Sequence, residues 1–205
     1  MVTAQQIIDI IKLHPYKVRN IYMFGSQVYG NQTEESDYDF IVMASNLLEK
    51  QELHEGDLNI HVHTPDVFLE GLKNYEMNYL ECVFAPDFAK LQEKIILPDK
   101  NFSLKTDMLK YKGIAQSFNA FHKAKERIGE GDMWRGVKSL WHSIRILQFF
   151  DQIVQHGRIV DFSSANDIWG MILKDYEEDD YEWWYYKEKY LPIKMKFEAK
   201  LNDRK

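Results

Sequence analysis

Residues 24–40 read Phe24-Gly25-Ser26-Gln27-Val28-Tyr29-Gly30-Asn31-Gln32-Thr33-Glu34-Glu35-Ser36-Asp37-Tyr38-Asp39-Phe40, and no other stretch of the chain restricts its fold as tightly. The pair Gly25-Ser26 closes an apolar run at 21–24, and Asp37 and Asp39 lead into a second apolar run at 40–43. Short apolar runs bounded by turn residues predict strands. In a strand, positions i and i+2 share a face, so Asp37 and Asp39 point the same way. Like charges held together near a strand end call for a cation, and paired carboxylate oxygens suit Mg²⁺. Glycine lets backbone N–H groups approach a phosphate, serine adds a hydroxyl donor, and the N-terminus of a following helix favours an anion. Either motif alone is a common turn or a chance pair on a solvent-facing strand. The two together, in this order and across one strand-turn-helix-loop-strand interval, point to nucleotide chemistry.

These residues resemble a known family. Gly25-Ser26 followed by Asp37 and Asp39 is similar to the Gly-Ser…Asp-x-Asp signature of the DNA polymerase beta-like nucleotidyltransferase superfamily. The fuller string, Gly25-Ser26 with Tyr29-Gly30 and then Ser36-Asp37-Tyr38-Asp39-Phe40, resembles the branch associated with RNA repair, the YcgL/RlaP-like group. The resemblance implies a nucleoside triphosphate, ATP included, as substrate, two Mg²⁺ ions held by Asp37 and Asp39, and a third acid on the neighbouring strand. That acid would complete the catalytic metal site and serve as general base for the attacking hydroxyl.

The segment 57–63 supplies the third acid. Leu58, Ile60 and Val62 alternate strictly with Asp57, Asn59, His61 and His63, which predicts a strand with one apolar and one polar face. If this strand lies beside 37–43, Asp57 joins Asp37 and Asp39, and the three carboxylates are expected to converge at metal-bridging distance, with Ser26 facing the same cleft. Asp66 competes for the role, but Thr64-Pro65-Asp66 reads better as a cap, a proline at the first helical position and an acid in the first turn. His61 and His63 could be read as a zinc pair, yet no cysteine or close histidine completes a tetrahedral set, and a polar strand face is the simpler account. The single cysteine, Cys82, excludes an intramolecular disulfide and reads as a small buried residue.

The rest of the chain divides in two. Thr3 caps an amphipathic helix at 3–13, followed by a strand at 18–24, a short helix from 26 to 29 and a strand at 37–43. Residues 46–53 read as a short helix or an irregular crossover, 64–72 as a helix, and 78–86 as a short apolar segment stopped by Pro86. This last segment also resembles the repair-associated family, and Glu81, an acid in an apolar run, is a candidate to support the site through another residue. Helices are expected at 103–128, 132–156, 163–173 and about 181–201. The chain is therefore read as α+β: a small mixed-sheet nucleotidyltransferase catalytic domain at 1–100, and a helical domain at 101–205 that completes the nucleotide and acceptor cleft, with the division at 98–102.

Charge follows the same division. The 205 residues carry a net charge of −6, which argues against a sequence-independent DNA binder. Residues 1–100 hold 8 basic and 16 acidic side chains, whereas 101–160 hold 10 and 5. An acidic metal-binding half followed by a basic helical half suits a polyanion bound with Mg²⁺. On the helix at 132–156, Lys138, His142 and Arg145 fall at i, i+4 and i+7 and line one stripe, either a solvated basic face or an anion site. The repair-associated family has a comparable Lys-x-x-x-His-x-x-Arg helix, and the resemblance implies contacts from Lys138, His142 and Arg145 to a triphosphate or to RNA phosphates. Trp183-Trp184-Tyr185-Tyr186 sits among acids that would repel a nucleic-acid backbone, so helix docking or a protein partner is the better reading.

No apolar run approaches the length of a membrane span and no basic flank precedes an apolar N-terminal stretch, so a cytoplasmic protein with no membrane partner is expected. The sequence thus predicts a Mg²⁺-dependent transfer of an NMP from an NTP to a hydroxyl, with an RNA 3′ end as the expected acceptor. A protein or small-molecule acceptor stays open, as does a non-catalytic module that binds and neutralises a toxin.

Overall fold

The computed structural model describes residues 2–34, 36–45, 47, 51–97, 103–178 and 182–204. The chain forms two compact units, Met1–Ser103 and Leu104–Lys205. The expected division at 98–102 lies outside the described residues, as do 46 and 48–50 of the stretch read as helix or crossover.

Unit 1 is a five-stranded mixed sheet with helices on both faces. Helix α1 (Ala4–Ile11) starts at Thr3, whose hydroxyl accepts from the Gln6 N–H while the Gln6 side chain accepts from the Thr3 N–H. This reciprocal cap stabilises the helix start by about 1 kcal/mol. The buried side chains Ile7, Ile8 and Ile11 pack on Val18, Ile21, Phe40, Val42, Ala44, Ile60 and Val62, which form one face of the sheet. Strand β1 (Val18–Phe24) is followed by the one-turn helix α2 (Ser26–Tyr29) and by β2 (Tyr38–Ala44). The chain then returns through β3 (Gln51–Glu55), β4 (Leu58–His63), helices α3 (Pro65–Lys73) and α4 (Met77–Phe84), a 3₁₀ turn at Asp87–Ala89 and β5 (Lys90–Glu93). The strand order is β3-β4-β2-β1-β5; β2 and β4 run parallel and the other pairs antiparallel.

Two strands, β3 and β5, lie at the sheet edges where sequence signals are weak. Gln51-Glu52-Leu53-His54-Glu55 is mostly exposed and polar, so it lacks the apolar alternation that marks a half-buried strand. Because β3 pairs Glu55 with Leu58, Gly56 and Asp57 form a two-residue hairpin turn, with Gly56 at a φ of 61°. The predicted strand at 57–63 therefore begins one residue later, and Asp57 belongs to the turn. His63 is also not on an open polar face: it is buried, and its Nδ1 lies 2.9 Å from the Tyr79 hydroxyl of α4. The segment 78–86 thus forms the helix α4, which covers that side of the sheet together with α3, where Phe68 stacks on Tyr22.

Unit 2 is helical: α5 (Thr106–Gly129), α6 (Met133–His156), α7 (Asn166–Glu178) and α8 (Trp183–Asn202). Helices α5 and α6 approach closely where glycine removes a side chain. A Cβ on Gly113 would lie 2.7 Å from the Phe150 ring, and one on Gly136 would lie 2.4 Å from Ile128. Buried carboxylates tie the remaining helices. Asp151 of α6 accepts from Arg204 at 2.6 and 3.1 Å and pairs with Lys200 at 2.8 Å, and Asp175 of α7 accepts from Lys189 and Tyr190 of α8. Within the aromatic run of α8, Tyr186 is buried and Trp183 packs edge-on against Phe121, whereas Trp184 is 61% exposed. No described helix is long and apolar enough to cross a membrane.

Two glycine substitutions test this packing in opposite directions. Gly71→Ala places a methyl group 2.1 Å from the Tyr79 ring and should lower the unfolding free energy by about 1–3 kcal/mol. Gly170→Ala meets nothing within 4 Å in an exposed helix position and should raise it by up to about 1 kcal/mol. Urea titrations followed by circular dichroism measure both.

Candidate active site

The antiparallel register of β1 and β2 places Phe24 opposite Asp39. The residue after Phe24 is Gly25, at a φ of 81°, a backbone conformation that side chains rarely adopt. A Cβ at that position would lie 2.6 Å from Asp39 Oδ2. The glycine of the first motif and the second acid of the other are therefore in direct contact, and only glycine fits there. Ser26 opens α2, and the N–H groups of Val28 and Tyr29 bond to the Gly25 carbonyl at 2.9 and 3.1 Å, which winds the chain into the short helix.

The parallel register of β2 and β4 places Asn59 beside Asp39. Asn59 Nδ2 donates to Asp39 Oδ1 at 2.9 Å. A carboxylate can only accept, so the amide must turn its N–H groups toward Asp39. Hydrogen bonds of this charged kind are worth about 1.5–3 kcal/mol. The turn leaves Asn59 Oδ1 buried with no hydrogen-bond partner among the described residues. Asn59 is the residue that sequence reasoning missed. Its signal was present, since it alternates onto the polar face of its strand two positions after Asp57, but which strand lies alongside and in what register is set by the sheet.

Asp37 precedes β2 and is exposed, and Asp57 is exposed in the hairpin turn. Their strands are joined at this end by the Tyr38 N–H, which donates to the Asp57 carbonyl at 2.8 Å. A pocket of about 410 Å³ beside them is lined by Gln27, Thr33, Glu34, Ser36, Tyr38 and Asp57, among others. Among the described residues, no group of three His, Cys, Asp or Glu side chains could hold a metal ion, so Asp37, Asp39 and Asp57 do not form a closed three-acid cage. Magnesium does not require one: it is commonly held through one or two carboxylates plus the phosphates of a substrate. Asp37 and Asp39 are oxygen donors of the hard type that this ion takes, and they fit it. The two histidines on this face give no zinc set. His63 is bonded to Tyr79, and His61 Nδ1 lies 3.9 Å from Glu52. Asp66 stands exposed in the first turn of α3, behind the Thr64 hydroxyl that caps the Val67 N–H. Cys82 is buried, and burial pushes its thiol well above the usual range.

In unit 2 the basic stripe of α6 is built differently from three solvated cations. Lys138 is exposed, with its ammonium 4.7 Å from the centroid of the Trp134 ring. Arg145 is buried, its guanidinium 5.3 Å from the Trp141 centroid and 4.9 Å from that of Phe149. It reaches back one turn so that Nε and Nη2 lie 3.2 and 2.9 Å from His142 Nδ1. Burial, then the charges of Arg145, Lys138, Arg127 and Lys123, hold the His142 imidazole well below 6.5. His142 is therefore a neutral acceptor at Nδ1 rather than a third cation.

Comparison with known proteins agrees with this architecture. Residues 5–75, the part that carries Gly25, Ser26, Asp37, Asp39 and Asp57, match the family model "Polymerase beta, Nucleotidyltransferase". No curated protein matches the chain. The spectinomycin adenyltransferase AAD(9) from Enterococcus faecialis, solved with ATP and spectinomycin, aligns over 98% of this chain and 100% of its own, at 13% identity and a TM-score of 0.52. The two proteins share their fold. A nucleotidyltransferase-like protein from Exiguobacterium sibiricum aligns over 98% of this chain and 73% of its own, at 14% identity and a TM-score of 0.34.

The depressed pKa of His142 sets a pH dependence. The unfolded imidazole titrates near 6.5 and the folded one lower, so the unfolded state binds more protons between the two values. Stability is then fully present above 6.5 and falls as the pH drops below it, by up to about 1.4 kcal/mol per pH unit. Denaturant midpoints between pH 5 and 7 should show this slope, and His142→Gln should flatten it.

Proposed function

We propose that this protein is a Mg²⁺-dependent nucleotidyltransferase that moves an NMP from an NTP, ATP foremost, to an acceptor hydroxyl and releases pyrophosphate. The observation that carries the reading is the contact between the two motifs: Gly25 lies against the Asp39 carboxylate with no room for a Cβ, and Asn59 holds the other oxygen of that carboxylate. A phosphate-binding turn and a metal-binding acid are of use to one reaction only when they adjoin. The family match over 5–75 supports the same chemistry.

In this reading the Gly25-Ser26 turn binds the β- and γ-phosphates through backbone N–H groups and the Ser26 hydroxyl. Asp37 and Asp39 would hold the two metal ions, and Asn59 keeps Asp39 in one orientation. Bound there, Mg²⁺ would supply charge neutralisation at the phosphates and activation of the acceptor oxygen. Asp57 accepts the proton of the attacking hydroxyl as its oxygen bonds to the α-phosphorus and the bond to pyrophosphate breaks. Lys138 and His142 are proposed to contact phosphate, Lys138 offering the exposed cation and His142 a neutral donor at Nε2, with buried Arg145 holding His142 in place. Catalysis of this kind is mostly positioning and charge neutralisation.

For the acceptor we propose an RNA 3′ end, on the strength of the basic balance of residues 101–160. A second reading, a small-molecule hydroxyl, is favoured by the full-length structural likeness to an adenyltransferase solved with spectinomycin and by the acidic balance of residues 1–100. If a protein partner exists, exposed Trp184 on α8 is its proposed contact.

Asp37→Asn and Asp39→Asn should each lower transfer of label from α-labelled ATP by at least about 100-fold while leaving the circular dichroism spectrum unchanged. Retained transfer would remove these acids from the site. Supplying RNA, total protein or spectinomycin as acceptor in the same assay decides the acceptor class, and label appearing only in protein or only in spectinomycin would overturn the RNA assignment.

A further inference from the structure

Two residues of the motif-bearing segments have no task in the reaction described above, and the structure joins them. Tyr29 ends α2 and Glu81 lies in the middle of the apolar helix α4, 52 positions along the chain. Both are 3% exposed. The Tyr29 hydroxyl donates to Glu81 Oε2 in a buried hydrogen bond. A carboxylate taken out of water is costly, and an apolar side chain of similar size would fill the same space without that cost. Glutamate at this position is therefore explained by what it holds rather than by packing.

What it holds is the end of a short, tightly bonded turn. The Val28 and Tyr29 N–H groups bond to the Gly25 carbonyl, and those of Gly30 and Asn31 bond to the Ser26 carbonyl at 3.0 and 3.3 Å. Four backbone bonds thus link Tyr29 and its neighbours to Gly25 and Ser26, and a displacement of the tyrosine ring moves the turn. On the other side of the turn, Gly25 adjoins Asp39, where a Cβ would lie 2.6 Å from the carboxylate oxygen. The same helix α4 also holds β4, through Tyr79 and His63. We propose that Glu81 and Tyr29 are positioning residues: their bond fixes the Gly25-Ser26 turn at the height where it meets both Asp39 and the phosphates of a bound nucleotide. The nucleotide part of this proposal rests on the reading given under Proposed function.

The test uses the full chain with Tyr29→Phe, Glu81→Leu, Glu81→Gln and the Tyr29→Phe/Glu81→Leu double variant. Two quantities are read at a temperature where all are folded: amide hydrogen exchange along unit 1, and the affinity for Mg·ATP by calorimetry. Tyr29→Phe and Glu81→Leu should speed exchange at the Val28, Tyr29, Gly30 and Asn31 amides by about ten-fold, leave the α1 amides unchanged, and weaken Mg·ATP binding by a similar factor. Glu81→Gln, which keeps an acceptor for the tyrosine hydroxyl, should restore both to within about two-fold, and the double variant should be no worse than the worse single one. Exchange that quickens equally in α1 and in the turn, or not at all, would overturn the proposal, because a merely structural bond predicts uniform loss. If the unaltered protein binds no NTP with Mg²⁺, the nucleotide reading fails, and the exchange measurements alone still decide whether Glu81 positions the turn.

Discussion

Everything near the candidate site depends on how the Asp39 carboxylate is held. One oxygen accepts from Asn59, and the other faces the bare Cα of Gly25. Three strands must be in register for this to occur: β1 brings Gly25 to the level of Asp39 by antiparallel pairing, and β4 brings Asn59 by parallel pairing. A slip of one residue in either pairing would turn Asp39 or Asn59 to the opposite face. That face is occupied by the Ile7, Phe40, Val42, Ile60 and Val62 core, where neither polar side chain could be satisfied. The hydrophobic pattern of the sheet therefore enforces the geometry of the polar site, and the energy for doing so comes from the core beneath it.

The face that carries the site is itself covered by α3 and α4, which explains why so many polar side chains there are paired. His63 with Tyr79, Tyr29 with Glu81, and Asn59 with Asp39 are three buried or part-buried pairs, two of them tied to α4. An isolated buried polar group costs about 1–3 kcal/mol when its partner is lost, so each pair penalises a shift of the element it holds. Helix α4 in this way couples the turn after β1 to the strand that carries Asn59. The Tyr79 ring, pressed against Gly71 so closely that a methyl group would collide, couples α3 to the same arrangement.

Much of this was legible in the sequence where the signal is local. The Thr3 cap, the apolar stripe of α1, the Gly25-Ser26 turn and the Thr64-Pro65 helix start are written in adjacent residues, and the structure shows the elements they imply. The edge strands β3 and β5 were not legible, because Gln51–Glu55 and Lys90–Glu93 bury too little to need an apolar alternation. Asn59 was visible as a polar position but not as the partner of Asp39, and Tyr29 and Glu81 were visible in separate segments but not as a pair. Both facts depend on long-range register, which no short window contains. The alternation of 57–63 read Asp57 as a strand residue, whereas the two-residue turn at Gly56-Asp57 places it just before β4.

The basic stripe of α6 shows how an apparent conflict in a sequence is relieved by burial. Lys138, His142 and Arg145 at helical spacing would be three like charges if all were protonated, and mutual repulsion would oppose the helix. The structure removes the middle charge by making it useful: His142 accepts from the guanidinium of Arg145 and is held neutral by it and by burial. The guanidinium is accommodated in turn between the rings of Trp141 and Phe149, whose faces favour a cation. Arg145 is therefore fixed in place by an aromatic bracket and an imidazole acceptor, and His142, with Nδ1 engaged, is left with its proton on Nε2. The i, i+4, i+7 spacing thus encodes one solvent-facing cation, one neutral donor and one buried cation.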